Sequence, residues 1–130
     1  MGERIESFRD LNVYQAAFEL QQLLFRASKS FPKEERYALT DQLRRASRSI
    51  GANIAEAWQK RRYPAHFISK LTDADGEVAE TEHWIDTAWS CEYLDDDVRA
   101  VLLSQCRSAG RMLGVMMKSP SKWCGRASNS

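Results

Sequence analysis

Apolar residues recur along this chain at three- and four-residue steps over four long stretches, and no stretch shows the two-residue alternation of a half-buried strand. The clearest lies between Glu35 and Lys60, where Leu39, Leu43, Ala46, Ile50, Ile54 and Ala57 share one face of a predicted helix. That stripe must be buried. Gln42, Arg45, Ser49, Asn53 and Glu56 line one flank of it, and Arg44, Arg48, Gly51, Ala52 and Ala55 lie on the far side. Gly51 costs roughly 1 kcal/mol against Ala inside a helix, so small residues on that side predict a second helix packed there.

The first helix is predicted from Asn12, with Gln15 three residues on in a capping-box arrangement, to about Ser30. Tyr14, Phe18, Gln21 and Phe25 make one stripe on it. Val13, Ala17, Leu20, Leu23, Leu24 and Ala27 carry the apolar surface more than halfway round, which predicts cover on more than one side and hence self-association. Phe31-Pro32 ends this helix and Tyr63-Pro64 ends the second, because the residue before proline is pushed out of the helical region. The third helix then carries Phe67, Leu71, Ala74, Val78, Thr81, Ile85, Ala88 and Trp89 as its core stripe, with Glu82 at the edge. Asp95-Asp96-Asp97 supplies the cap and first-turn carboxylates of the fourth, which turns Val98, Leu102, Gln105, Ala109, Met112, Leu113 and Met116 inward. Helices over about 12–30, 34–60, 64–91 and 96–118, joined by short loops, predict an all-α fold, an antiparallel up-down-up-down four-helix bundle over residues 1–118. Residues 119–130, rich in Ser, Gly and charge without periodicity, are expected as a flexible tail despite Trp123.

With 130 residues, 43% of them hydrophobic, the chain is large enough for one domain with a real core. Its net charge of +1 indicates neither nucleic acid nor membrane, but the charges are unevenly placed. Lys33 to Arg62 holds eight Lys/Arg against four Asp/Glu, Tyr63 to Asp97 holds one against ten, and Val98 to Ser130 holds six with no acid. Adjacent antiparallel helices of opposite charge, or a basic partner surface, would each account for this. Cys91, Cys106 and Cys124 are an odd number with no Cys-x-x-Cys pair, which indicates neither a disulfide framework nor a zinc site. No apolar run reaches the roughly 18 residues of a membrane span and none follows a basic start, so a cytoplasmic protein without membrane association is expected.

Candidate chemistry is sparse. Glu80-Thr81-Glu82-His83 offers one Glu-x-x-His pair of the kind that builds di-iron sites in bundles, but there is no second, and Glu80 and His83 fall on the side away from Phe67, Leu71 and Ile85. No metal or other cofactor is expected. Cys91 and Cys106 have no histidine near them in sequence, and the glycines do not form a phosphate loop, so no catalytic residue is assigned and the expectation is a non-enzyme. The polar flank Gln42, Arg45, Ser49, Asn53 and Glu56, with Glu82 opposing it from the third helix, is either a hydrogen-bonded layer that fixes register or a ligand or subunit pocket. A small-molecule or metal-dependent enzyme, or a ligand-binding protein, with that polar site in the bundle core is therefore the alternative reading.

Phe31-Pro32-Lys33-Glu34-Glu35-Arg36-Tyr37, Gln42-Leu43-Arg44-Arg45-Ala46, Ser49 and Asn53-Ile54-Ala55-Glu56 together resemble the signature of the 23S rRNA-intervening sequence proteins, a bacterial four-helix bundle family. The opening Phe8-Arg9-Asp10-Leu11-Asn12-Val13-Tyr14-Gln15-Ala16 resembles the family's start, so the likeness spans most of residues 8 to 117. Two positions depart from it. Ala57-Trp58 stands where the family has Gly, and Gly76-Glu77 where it has Gly-Ser. The family is similar to the accessory protein of diversity-generating retroelements, a basic barrel of five subunits that associates with reverse transcriptase and RNA. The resemblance implies a homopentamer, a non-enzymatic scaffold or accessory protein. It further implies that Arg44, Arg45 and Arg48, with Arg61 and Arg62, contact RNA, DNA or a nucleic-acid-processing partner such as a reverse transcriptase. With little aromatic interleaving beyond Trp58 and Tyr63, sequence-tolerant binding to structured RNA or DNA is expected.

Overall fold

The computed structural model describes residues 4–125. Four long helices, α1 (Asn12–Ser28), α2 (Asp41–Gln59), α3 (Pro64–Ser90) and α4 (Asp96–Lys118), pack in sequence order and close when α4 meets α1, giving an all-α bundle of alternating direction. Among the described residues there is no strand, and no helix is long and apolar enough to cross a membrane. The core is the set of stripes turned inward: Leu20 and Leu24 of α1, Leu43, Ile50 and Ile54 of α2, Phe67, Leu71 and Ile85 of α3, and Leu102 and Leu113 of α4.

The stripes differ from expectation in instructive places. On α1 the buried set is Val13, Ala17, Leu20 and Leu24, whereas Phe18 is 45% exposed and Tyr14, Gln21 and Phe25 are half-buried. Aliphatic side chains fill the narrow space between three other helices, and the bulkier aromatic stripe is left along the α1–α2 edge. Trp89 and Val98, both expected inside, are 39% and 37% exposed, because each lies in a terminal turn where the bundle opens. Trp89 instead donates its indole N–H to Asp96 Oδ1 at 2.7 Å.

The ends of the helices also depart from the pattern. The expected capping box at Asn12 and Gln15 is absent, and Leu11 occupies the cap position without a side-chain bond. The box sits one turn earlier, in a 3₁₀ turn over Phe8–Asp10. Ser7 Oγ accepts from the Arg9 N–H there, and Asp10 Oδ2 accepts from the Ser7 N–H. Gln15 donates to the Arg9 carbonyl and ties this turn to α1. The second helix does not begin as α-helix at residue 34. A 3₁₀ turn (Lys33–Glu35) and a π-helical turn (Arg36–Thr40) precede it, and the wider π turn brings both Leu39 and Thr40 to buried positions. Asp95 caps α4 as expected, accepting the Val98 N–H at 2.8 Å. Within the expected tail, Ser121–Cys124 forms a short helix, α5, with Cys124 buried and Trp123 packed on the core. Residues 126–130 of that tail lie outside the described residues.

The small residues of α2 have an intramolecular explanation. Ser47 and Gly51 are buried beneath α1, and a Cβ at Gly51 would stand 3.5 Å from the Tyr14 ring. α2 is thus sandwiched between α1 and α3 of its own chain, and α1 is the helix that Gly51 meets, while Ala52 is exposed and Ala55 half-buried.

Candidate functional site

α2 presents its arginines at positions 44, 45 and 48, which three- and four-residue spacing gathers on adjoining faces of one turn. They converge. Arg44, Arg45 and Arg48 line one open surface groove together with Asp41, Ser49 and Ala52, where the short side chains leave the guanidinium groups accessible.

Arg44 is held on two sides. Its Nε donates to Ser28 Oγ at 2.8 Å, and its guanidinium lies 4.8 Å from the centroid of the Phe25 ring. Ser28 in turn donates to the Phe25 carbonyl, so a buried hydroxyl of α1 fixes the base of the arginine. Arg48 sits 5.7 Å from the same ring, and Lys29 Nζ 5.0 Å from it. Three cations therefore surround one phenylalanine. Arg45 is exposed. Among the described residues none of these three arginines makes an ion pair. Of the acids on the neighbouring helices, Asp86 takes Arg99 of α4 at 2.8 Å and Glu56 takes Lys70 at 3.0 Å, while Asp41 lines the groove without an ion pair to the arginines. Held by a hydroxyl and a ring and not by carboxylates, the guanidinium groups keep donors and charge for an external anion.

Arg61 and Arg62 do not join this groove. Arg61 folds back at the end of α2, donating to the Trp58 carbonyl at 2.7 Å with its guanidinium 3.8 Å over the Trp58 ring, and Arg62 lies beside Tyr63. From position 48 to 61 the helix rises about 20 Å. One ligand of the size of a few nucleotides would not span both groups.

The expected polar layer does not form. Asn53 donates to the Ser49 carbonyl within its own helix, and Glu56 is exposed and bridges to Lys60 at 3.7 Å and Lys70 at 3.0 Å. The Lys70 contact holds the Glu56 carboxyl below its ordinary range and raises Lys70, a surface pair between α2 and α3. Gln42 lies half-buried on the α2 surface. Glu82 opens on the other side of α3, in a groove shared with Asp75, Arg107 and Arg111. The wheel placed these residues beside the core stripe, but α3 turns Thr81 inward and carries Glu82 towards α4. The alternative of a ligand site in the bundle core loses its residues. Buried side chains there, such as Thr81, bond to carbonyls of their own helix.

Glu80 accepts from the Trp84 indole on the surface of α3, and His66 and His83 are exposed. No group of three His, Cys, Asp or Glu side chains that could hold a metal occurs among the described residues. Burial pushes the Cys106 thiol up to about 12, a value at which it is a weak nucleophile.

Phe25, Ser28 and Lys29 belong to the site and were not foreseen. Their signal was present in the excess apolar stripe of the first helix. An aromatic stripe adjoining an aliphatic one on the same helix implies that one of the two lies outside the core.

A family model described as 23S rRNA-intervening sequence protein matches residues 9–115. Among solved structures, a protein with unknown function from the S23 ribosomal protein family of Bacteroides thetaiotaomicron superposes with a TM-score of 0.72. Its identity to this chain is 25%, over 82% of this chain and 98% of that one. No curated protein matches.

Proposed function

We propose, since the chain belongs to the 23S rRNA-intervening sequence protein family, that it is a non-enzymatic, homo-oligomeric scaffold whose α2 groove binds the phosphate backbone of nucleic acid. One observation carries this reading: Arg44, Arg45 and Arg48 meet in an accessible groove and, among the described residues, make no ion pair. An arginine group has no proton to give or take near neutral pH, so such a groove suits binding and not acid–base catalysis. Guanidinium forks match phosphate oxygens in pairs. In a closed ring, five-membered as the resemblance to the retroelement accessory protein implies, the groove would repeat as a basic belt around subunits that are each nearly neutral. A reverse transcriptase or another nucleic-acid-processing enzyme is the partner class in keeping with that role. Arg61 and Arg62 would form a second, separate contact.

Fluorescence anisotropy with labelled RNA and DNA between 50 and 200 mM salt tests the reading. Affinity should fall linearly in log salt, with a slope of about −0.9 per phosphate on duplex DNA and about −0.7 on single strands. Changing Arg44, Arg45 and Arg48 together to Glu should abolish binding while leaving helicity intact. Absence of binding by the wild type at 50 mM salt, with the triple variant losing assembly instead, would leave a protein-interaction scaffold.

A further inference from the structure

The basic groove does not end at Arg48. Along the edge where α1 meets α2, the stripe Tyr14, Phe18, Gln21 and Phe25 leads from Gly51, which Tyr14 and Gln21 face, to the arginines, which flank Phe25. Tyr14 and Phe18 lie nearly parallel, with ring centroids 6.1 Å apart and planes inclined by 29°, and Phe18 is 45% exposed. At the other end of the stripe, Phe25 is ringed by Lys29, Arg44 and Arg48. Arg9, lying 4.4 Å over Phe8, marks the opposite end, with Phe8 edge-on to Tyr14 at 4.9 Å. The chain order conceals this arrangement, because the aromatic residues come from one helix and most of the cations from the next.

We infer that this edge is a single-strand binding strip. Phosphates would occupy the Arg44–Arg45–Arg48 groove, and unpaired bases would stack on the exposed face of Phe18, about two helical turns along α1 from Phe25. The inference rests on the proposed nucleic-acid reading of the same groove and adds the ligand class to it. A duplex hides its base faces and can offer this strip only its backbone. A single strand offers phosphates and π-faces at once, the combination that sequence-tolerant single-strand proteins use. From Tyr14 to Phe25 the helix rises about 16 Å, the length of roughly five stacked nucleotides at ~3.4 Å each. The arginines at the Phe25 end of the stripe make no ion pair among the described residues, so an anionic ligand fits the strip better than an apolar helix does.

The test compares a fluorescein-labelled 16-nucleotide oligouridine with a 16-base-pair RNA duplex at 50 mM salt, on the full chain and on Phe18→Ala and Phe18→Tyr. Phe18 is at the surface, so neither substitution threatens the core. Expected are preference for the single strand, a loss of about 5- to 50-fold on Phe18→Ala, retention by Phe18→Tyr, and little change in duplex affinity for either variant. Equal affinity for both ligands, or an unchanged single-strand affinity in Phe18→Ala while the triple arginine variant loses binding, overturns the strip and leaves the phosphate groove standing. A fall in assembly mass on Phe18→Ala without loss of affinity also overturns it, by assigning Phe18 to a subunit contact. Failure of the wild type to bind either ligand removes both readings.

Discussion

Tyr93, in the turn after α3, donates a hydrogen bond to Glu35 Oε2 at 2.8 Å and packs on Phe31, fastening that turn to the start of the second helical stretch. An anionic acceptor favours the protonated phenol. The hydrogen bond to Glu35, aided by burial and the carboxylate charge, raises Tyr93 to about 12 from its ordinary 10.0. The raised value means that this contribution to stability is whole below pH 10 and is lost as the pH rises towards 12. We predict that Tyr93→Phe removes the latest step of the tyrosinate absorbance titration and flattens the fall in urea stability between pH 10 and 12. Complete ionisation of all four wild-type tyrosines by pH 11 would contradict it. Like the Ser28–Arg44 bond, this contact joins residues far apart in the chain, and nothing in the local pattern announces it. The arginines themselves were legible because helical spacing alone groups 44, 45 and 48. Their partners were not, since which face of α1 meets them depends on how all four helices settle. The expected polar layer failed for the same reason, as a wheel places a residue on its own helix and leaves its neighbour unspecified.

At the scale of elements, periodicity located the four long helices because their stripes close over many turns, while their beginnings and the choice between two stripes on α1 were set by tertiary contacts. The π-helical turn at Arg36–Thr40 has no composition signal, for it exists to bury Leu39 and Thr40 together. Gly51 pointed to a second helix packed against α2, and the structure places Tyr14 of α1 there. A Cβ there would meet Tyr14 Cε1 at 3.5 Å, an ordinary van der Waals contact, and at Gly76 of α3 it would meet nothing within 4 Å. Neither glycine is required by a close approach, and each weakens its helix by roughly 0.5–1 kcal/mol relative to Ala. Gly51→Ala and Gly76→Ala should therefore each raise the free energy of unfolding by about that much, seen as a higher urea midpoint with an unchanged denaturant slope. A loss of stability confined to Gly51→Ala would show that the Tyr14 ring cannot yield.

Among the described residues of the whole molecule, apolar surface is open where α1 and α4 meet. Ile5, Val13, Met112, Val115 and Trp123 line a cleft of about 730 Å³ between the N-terminal turn, α1, α4 and α5, with Asp10 and Arg111 among its polar groups. Val115 is 64% exposed and Val101, farther along α4, 55%. A patch of this make-up, with Met and Trp among aliphatic residues and both signs of charge, suits contact with a second copy of the chain. It also leaves the α2 groove on another face, free for ligand in an assembly. Light scattering coupled to size-exclusion chromatography should give a multiple of the 14.9 kDa chain at micromolar concentration. Val115→Glu, which places charge in the cleft at a position outside the core, should reduce it to one chain with helicity unchanged. The two halves of the proposed function then become linked. A lone subunit offers three groove arginines, so its groove should contribute no more than about −3 to the log-salt slope on duplex DNA. An oligomer engaging several grooves at once would show a steeper slope and tighter binding through effective concentration, without any new contact. Val115→Glu should accordingly weaken nucleic-acid binding and flatten its salt dependence although it touches no arginine. A wild-type chain that runs as a monomer, or a Val115→Glu monomer that binds as tightly and as steeply as wild type, would show that each groove acts alone.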